Sequence, residues 1–351
     1  MAGIPEGNGV RISSPSIRTA TCELGINAQV KAGMQVTQKK FGLRLLAWYD
    51  LHRRDLPWRA SRDPYRVWLS EIMLQQTRVA AVIEHYRKFL RRFPTVQKLA
   101  AAREASVLAA WSGLGYYRRA RMMHAAVKVI VREHGGKFPA SEEELRELPG
   151  IGRYTAAAIA SIAFGEPVAV VDGNVERVLQ RVSGKRLAGE ELWNAADRLL
   201  DSKRPGDFNQ AMMELGAVVC MPRAPACLTC PVVEACATRG ELEPAKKTVR
   251  QTKREIHYAL DCENGAVFLL QRPADASLMP RMWELPELPS THGDGPAFTL
   301  RHSITTTDYT VRVWRAAAPS PESGKWIPVE RLGKLALTGL ARKILREAEM
   351  L

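Results

Sequence analysis

The sequence has few cysteines and no long apolar segment. Six cysteines occur in 351 residues, and four of them are crowded into residues 220–236, whereas a secreted fold held by disulfides needs a denser and more even distribution. No run of about 18 uncharged apolar residues is present, so no membrane-spanning helix is predicted. These absences exclude a disulfide scaffold and an integral membrane protein. They favour a soluble protein of a reducing cytoplasm.

The chain is basic, with 51 Lys+Arg against 37 Asp+Glu and a net charge of +14. Residues 1–254 hold 40 basic and 25 acidic side chains, whereas residues 255–351 hold 11 and 12. The N-terminal part therefore carries the positive charge, and this distribution favours a polyanionic partner.

Changes in composition divide the chain into four segments. Residues 1–38 show no periodicity and lack the apolar core of a signal peptide, so we predict a disordered leader. Residues 39–242 have the apolar period of an all-α domain, and residues 243–256 are charged and predicted to be a linker. In residues 257–351 the period changes to two, which predicts a small α+β domain.

Residues 147–179 combine two closely spaced glycines with an isolated aspartate. Gly150 and Gly152 precede a run of small residues, which predicts a tight turn leading into a closely packed helix. Such a helix start presents N–H groups that bind an anion such as phosphate, although an ordinary helix–turn–helix explains the same pattern. Asp172 follows four apolar residues, which indicates either an N-cap or a carboxylate in a partly dry site.

The strings LPGIGRYTA and VDGNV resemble the helix-hairpin-helix base-excision DNA glycosylases. The resemblance covers about residues 40–350 and implies that the glycines grip a DNA phosphate and that Asp172 serves the chemistry. The strand-cutting branch of that superfamily carries a lysine, which forms a Schiff base, where this chain has Tyr154. The tyrosine therefore implies the MutY-like adenine DNA glycosylases, which only remove the base.

Glu71 lies among apolar residues in a segment of helical period. The pattern alone indicates either a surface residue or an acid whose pKa is raised by desolvation. The surrounding segments LPWR and DPYRVWLSEIMLQQT are similar to those that mark MutY-like enzymes. That resemblance implies that Glu71 protonates the departing adenine, that Trp58 and Arg59 line the adenine pocket, and that Gln76 and Thr77 contact the base stack opposite the adenine.

The resemblance assigns further residues of the helical domain. The loop GLGYY resembles the MutY-like loop that touches 8-oxoguanine, which nominates Leu114 and Tyr116; a solvated basic helix explains the arginines after it equally well. Gln210 occupies the place of a polar residue that faces adenine in relatives. Tyr154 and Asn174 are assigned to the catalytic site, where they provide polar surroundings for the aspartate.

Four cysteines, Cys220, Cys227, Cys230 and Cys236, are separated by six, two and five residues. By ligand type alone, four thiolates suit zinc nearly as well as an iron–sulfur cluster. The spacing is not that of paired zinc knuckles, and it resembles the cluster loop of the glycosylase superfamily. The resemblance implies a [4Fe–4S] cluster with a structural role.

Apolar alternation predicts the strands of the second domain. We expect a hairpin in which 256–262 and 265–273 pair around residues 263–265, two further strands at 298–304 and 310–318, and a closing helix at 339–350. This region resembles the Nudix-like C-terminal domain of MutY-like enzymes.

Two departures from that pattern concern the function of the second domain. The long Nudix signature with its magnesium-binding glutamates is absent, so we predict a recognition module without hydrolase activity. Where relatives place a Phe-Ser-His that reads 8-oxoguanine, this chain has Ile304, Thr305 and Thr306. Two outcomes are open: His302 or Thr305 substitutes for the missing histidine, or the discrimination of the lesion is looser than in relatives.

The sequence therefore predicts a monomeric adenine DNA glycosylase of the bacterial cytoplasm, associated with the nucleoid and acting on double-stranded DNA with A:8-oxoguanine or A:G mispairs. A strand-cutting glycosylase for oxidised pyrimidines is an alternative, and Tyr154 and the second domain argue against it. A non-catalytic iron–sulfur DNA-binding protein is another. It would need neither Glu71 nor Asp172.

Overall fold

The structure is a computed structural model that describes residues 39–242, 252–276, 278–289, 295–304, 307–320 and 324–351. The predicted leader, most of the predicted linker (243–251) and Thr305 lie outside the described residues. Within the described parts of the chain, no helix is both long and apolar enough to cross a bilayer.

Residues 39–242 are helical, as the 3.6-residue period predicted. The helices are α1 (39–52), α2 (Pro64–Leu74), α3 (Val79–Arg92), α4 (Val96–Ala100), α5 (Glu104–Trp111), α6 (Arg118–Glu133), α7 (Glu142–Arg146), α8 (Arg153–Ile159), α9 (Gly173–Ser183), α10 (Gly189–Leu199) and α11 (Pro205–Val218). A π-helical turn, Ala160–Phe164, continues α8. Proline begins α2 and α11, where its missing N–H breaks no helical hydrogen bond.

The helical region contains two large apolar cores among its described residues. The first is built from α2 to α8 around Trp68, Phe89 and Trp111. The second is built from α1 and α9 to α11 around Tyr49 and Phe208. Helix α2 packs on α8, and α11 packs on both the π-helical turn and α9. The side chains at the C-terminal end of α2, at the N-terminal end of α8 and in the loop before α9 consequently meet between the two cores.

The C-terminal region forms two small sheets and a helix. Its elements are β1 (Thr252–Ala259), β2 (Cys262–Glu263), β3 (Ala266–Gln271), β4 (Trp283–Glu284), β5 (Phe298–Ile304), β6 (Thr307–Trp314), β7 (Gly324–Pro328) and α12 (Gly339–Glu347). One sheet has the order β1-β6-β5, and in the other β3 pairs with β2, β4 and β7. Strand β5 and the start of the closing helix lie where the sequence predicted them, whereas β6, predicted at 310–318, begins three residues and ends four residues earlier.

The predicted hairpin around residues 263–265 forms only in part. The short strand β2 turns back on β3, but β1 leaves this sheet and pairs in parallel with β6, from Thr252 opposite Thr307 to Ala259 opposite Trp314. Residues 252–256, predicted to be linker, are thus part of a strand. Alternation specifies which face of a strand is buried, but it does not specify the neighbouring strand, so the partner of β1 was not readable locally.

The C-terminal region packs directly against the first helical core. Met282 and Ala336 belong to that core. The Tyr117 hydroxyl donates a hydrogen bond to the Leu337 carbonyl at 2.9 Å, and Arg121 donates one to the Pro280 carbonyl. Because Tyr117 is the last residue of the GLGYY loop, the second region contacts a segment that was predicted to approach DNA.

Candidate active site

A cavity of about 530 Å³ lies between the two helical cores. Nine of the residues predicted to serve catalysis or base recognition line it: Trp58, Arg59, Glu71, Gln76, Thr77, Tyr154, Asp172, Asn174 and Gln210. They come from α2, α8, α9, α11 and the loops near them, so tertiary packing brings together residues up to 152 positions apart (Trp58 to Gln210). The volume is within the range of small-molecule sites and accommodates a nucleobase.

Glu71 lies in the last turn of α2 and is 6% exposed. Burial raises its pKa to about 7, and the nearby Asp172 also raises it, against the opposing effects of the Tyr154 hydrogen bond and Arg59. Of the two interpretations of the sequence, the desolvated acid is therefore the one that the fold produces. A carboxyl group with this pKa is partly protonated at neutral pH and can act as a general acid.

Tyr154 reaches Glu71 from the first turn of α8. Its hydroxyl donates to Glu71 Oε2, and it also contacts the Met213 sulfur at 3.7 Å. Burial, together with the charges of Glu71 and Asp172, raises the pKa of Tyr154 well above its usual value. The phenol is therefore neutral and serves as a hydrogen-bond donor.

Asp172 is the N-cap of α9. Its Oδ1 accepts hydrogen bonds from the backbone N–H groups of Asn174 at 2.9 Å and Val175 at 2.8 Å, and its Oδ2 accepts one from Asn174 Nδ2 at 2.9 Å. The two interpretations of this residue are compatible, because the capping carboxylate also lines the cavity. The helix N-terminus and the three N–H donors stabilise negative charge at this point.

Asn174 connects the aspartate to the cysteine-rich loop. Its Oδ1 accepts a hydrogen bond from Arg177 Nη2 at 2.8 Å, and Arg177 Nε donates to the Cys220 carbonyl at 2.8 Å. Close packing of α9 on α11 supports this arrangement, since a Cβ at Gly216 would lie 2.6 Å from the Asn174 Cβ. The position of Asp172 is thus tied to the start of the loop that contains the four cysteines.

Arg59 is held by a carboxylate that the sequence analysis did not identify. Glu214, 1% exposed, accepts hydrogen bonds from Arg59 Nη2 at 2.8 Å and from Arg54 at 2.7 and 2.8 Å. Burial alone would raise the pKa of Glu214, but the arginines lower it to about 2. The available signal was that Glu214 follows Gln210 by four residues in α11, which places both side chains on one helix face.

The residues predicted to contact DNA outside the cavity have different exposures. Tyr116 is 50% exposed, whereas Leu114 is 5% exposed and packs in the first core, so its side chain does not face solvent. Gly150 has φ = +76°, and a Cβ there would lie 2.5 Å from the Met122 Cβ, so glycine is required. Gly152 has an extended backbone and open space around it, so its own backbone conformation does not require glycine.

His302 lies in β5 of the C-terminal region and does not line the cavity. It is half-buried opposite Tyr309, and burial lowers its pKa. Thr305, the alternative substitute for the missing histidine, lies outside the described residues.

The four cysteines of residues 220–236 lie together after α11. Burial raises the pKa of Cys230, and the other three cysteines contribute to this rise. Arg181, 4% exposed, donates to Cys220 Sγ at 3.3 Å, and the Arg239 N–H points at Cys236 Sγ at 3.4 Å. Such donors suit thiolate ligands of a cluster. Among the described residues, no group of three or more His, Cys, Asp or Glu side chains is arranged around a single metal ion.

Comparisons with known proteins identify the family. The model of the HhH-GPD superfamily base excision DNA repair protein family matches residues 69–192, which include Glu71, Tyr154 and Asp172. The adenine DNA glycosylase of Mus musculus is 36% identical over 402 aligned positions, covering 88% of this chain and 78% of the mouse protein. The chain belongs to the adenine DNA glycosylase family. Its members are hydrolases, so the chain is a DNA N-glycosylase.

Other members of the family and two solved structures are similar over shorter segments. The adenine DNA glycosylase of Homo sapiens is 50% identical over 214 positions, which cover 57% of this chain and 39% of the human protein. A thermostable thymine-DNA glycosylase aligns with a TM-score of 0.55 and 31% identity, over 58% of this chain and 96% of its own. A non-covalent endonuclease III–DNA complex aligns with a TM-score of 0.50 and 22% identity, over 57% and 96%. The similarity to the endonuclease III complex concerns the fold alone. Together, the two structures confirm the predicted helical glycosylase fold of residues 39–242.

Proposed function

We propose that the chain removes adenine mispaired with 8-oxoguanine or guanine in double-stranded DNA by hydrolysis, without cutting the strand. The observation that carries the proposal is that two carboxyl groups in different environments share one cavity. Glu71 is buried and has a pKa of about 7, whereas Asp172 is an N-cap surrounded by N–H donors. Carboxyl groups in such different environments divide glycoside cleavage between an acid and an anion. Similarity to adenine DNA glycosylases supports adenine as the base.

In this mechanism Glu71 transfers its proton to a ring nitrogen of adenine as the bond between the base and the sugar breaks. The electron pair of that bond leaves with the base, and the sugar becomes a cation. Asp172 stabilises this cation through its negative charge. Water adds to the sugar carbon and loses a proton to the ionised Glu71, so the products are adenine and an abasic site.

Other residues that line the cavity recognise the base. The Arg54–Glu214–Arg59 cluster fixes the guanidinium of Arg59 beside Trp58, and Gln210 adds a side-chain amide. Adenine reaches this wall after flipping out of the duplex, which costs a few kcal/mol and least at a mispair. The exposed side chains of Gln76 and Tyr116 fill the space that the base leaves, and the backbone around Gly150 and Gly152 holds a phosphate.

Strand cutting is not expected because the cavity lacks an amine nucleophile. Among the described residues that line the cavity there is no lysine. At the position where the strand-cutting branch carries its lysine, this chain has the phenol of Tyr154, whose pKa is raised by burial and which donates to Glu71. A neutral phenol cannot form a Schiff base with the sugar.

The C-terminal region serves as a Nudix-like recognition module in this proposal. Its contacts with the helical region at Tyr117 and Arg121 support a role beside the opposing base, where either His302 or Thr305 remains the predicted reader. The net charge of +14 supports double-stranded DNA as the partner. We expect a monomer that works on the bacterial nucleoid.

The proposal is tested with purified protein and labelled duplexes that carry A opposite 8-oxoguanine, G, C or T. We expect release of adenine from the 8-oxoguanine and G duplexes, with product strands that break only after heating in alkali. Borohydride is expected to trap no covalent complex. Strand breaks before alkali, or equal activity on all four duplexes, would contradict the proposed absence of strand cutting or the proposed mispair specificity, respectively.

The cysteine-rich loop is proposed to hold a [4Fe–4S] cluster through Cys220, Cys227, Cys230 and Cys236. When bound, the cluster cross-links the loop and stabilises its fold, and hydrolysis of a glycosidic bond requires no redox step. The hydrogen bonds from Arg181 and Arg239 to two of the sulfurs support this assignment.

Protein purified without oxygen is expected to be brown and to contain about four iron atoms per chain. Cys236→Ser should lose both the colour and the iron, whereas Cys262→Ser should retain them, because Cys262 is exposed in β2 outside the loop. Visible absorption and metal analysis measure both. A colourless wild-type protein with one zinc ion would show that the assignment is wrong.

A further inference from the structure

Arg119, near the start of α6, occupies a position between two loops and the end of a helix. Its Nη1 donates to the carbonyls of Ile72 at 2.7 Å and Met73 at 3.2 Å, and also to the carbonyl of Gln75. Its Nη2 donates to Thr77 Oγ1 at 3.3 Å and to the carbonyls of two residues in the GLGYY loop, Leu114 at 3.2 Å and Gly115 at 3.3 Å. Within the described parts of the chain, no carboxylate pairs with Arg119.

The first group of these contacts completes the C-terminus of α2. The last carbonyls of a helix have no intrahelical partner and carry partial negative charge, so a cation stabilises them. Helix α2 has no basic residue of its own in its last turn. Arg119 supplies the charge from a distant segment, and the turn that it stabilises is the one that contains Glu71.

The second group joins two loops that both adopt strained conformations. Gln76 has φ = +56° and Tyr116 has φ = +47°, a region that L-residues adopt only when their surroundings hold them there. The guanidinium of Arg119 binds beside each of these residues and lies 5.4 Å from the centre of the Tyr116 ring and 5.5 Å from that of Trp111. Burial lowers the pKa of Arg119 to about 10, which leaves it charged at neutral pH.

From this geometry we propose that Arg119 is a positioning residue that holds the Gln75–Thr77 loop and the Gly113–Tyr116 loop in register with the Glu71 turn. Its role is to keep the two loops rigid while the base is extruded. The guanidinium has a planar set of five N–H donors that reach several carbonyls at once, which a lysine ammonium cannot reproduce. The inference rests on the proposed excision of adenine from a mispair.

Three variants separate positioning from charge. Arg119→Met removes the hydrogen bonds, Arg119→Lys retains the charge alone, and Arg132→Met removes an exposed arginine at the other end of α6 as a matched control. Amide hydrogen exchange measures the loops directly. We expect both loops, and the last turn of α2, to exchange at least about tenfold faster in Arg119→Met and Arg119→Lys. In Arg132→Met, the exchange rates of both loops and of the last turn of α2 should equal those of the wild type. If Arg119→Met does not fold, Arg119→Lys alone provides the test.

Activity provides the second readout. The single-turnover excision rate should fall about 10²-fold in both Arg119 variants. Binding to a duplex that carries an abasic-site analogue, where no base needs extrusion, should stay within about threefold of wild type. Fluorescence of 2-aminopurine at the adenine position should show reduced extrusion.

Two results would overturn the proposal. One is unchanged exchange of either loop in folded Arg119 variants. The other is full recovery of exchange and rate in Arg119→Lys, which would show that charge suffices. If the wild type excises no adenine, the proposed function fails, and the exchange data still decide whether Arg119 positions the loops.

Discussion

Replacement of Glu71 by glutamine is expected to lower the single-turnover rate of adenine excision by at least about 10², the usual contribution of a general acid. Glutamine has nearly the same shape, and its amide oxygen can still accept the hydrogen bond from Tyr154. It has no acidic proton, so the departing base leaves as an anion at a much higher energy. A variant that retains more than a tenth of the wild-type rate would remove Glu71 from the mechanism.

The pH profile of the wild type tests the same assignment. Because Glu71 must be protonated to act as the acid, the rate should be highest below a pH of about 7 and fall as the pH rises through that value. The decrease should approach tenfold per pH unit. Single-turnover rates between about pH 5.5 and 9 measure it, with duplex concentrations high enough that binding does not limit the rate. A profile without a decrease near pH 7 would contradict the acid role.

Stability provides the control for this variant. The pKa of Glu71 is raised in the folded protein from 4.5 to about 7. Its contribution to stability is therefore fully present below about pH 4.5 and is lost as the pH rises through about 7, by roughly 3 kcal/mol in all. Glutamine does not titrate. Relative to the wild type, Glu71→Gln should thus become more stable as the pH increases from 5 to 8, and denaturant unfolding at both values measures the difference.

Replacement of Asp172 by asparagine is expected to lower the excision rate by about 10² to 10³, the loss seen when an electrostatic stabiliser of a transition state is removed. Asparagine is as good an N-cap as aspartate, and its oxygen can accept the same bonds from the N–H groups of Asn174 and Val175. The substitution therefore removes the negative charge that faces the sugar and retains the cap. Single-turnover kinetics with a saturating concentration of the variant measure the loss.

A comparison with Asp172→Ala separates catalysis from capping. Alanine removes both the charge and the cap and should cost about 1 kcal/mol of stability beyond the asparagine variant. Its rate should equal that of Asp172→Asn if the charge alone serves the chemistry. A wild-type rate in Asp172→Asn together with a large stability loss in Asp172→Ala would show that Asp172 is only a cap.

Local patterns determined much of the helical region. The 3.6-residue period, the prolines and the N-cap at Asp172 involve contacts within a few residues, so the helices, the break near Thr77 and the start of α9 were readable from the sequence. The motifs around Glu71 and Asp172 also identified the family before any geometry was known. The helix signals and the family motifs both lie within short segments, so they can be recognised without knowing which segments pack against them.

Tertiary structure alone decided the features that depend on partners distant in the chain. Burial in the folded protein raises the pKa of Glu71, its hydrogen-bond partner Tyr154 is 83 residues away, and Glu214 pairs with Arg54 across 160 residues. The parallel pairing of β1 with β6 and the contacts of Arg119 with two loops are of the same kind. In each case the sequence specifies a side chain, but its pKa, partner or exposure depends on desolvation and charges from segments that approach only when the chain has folded.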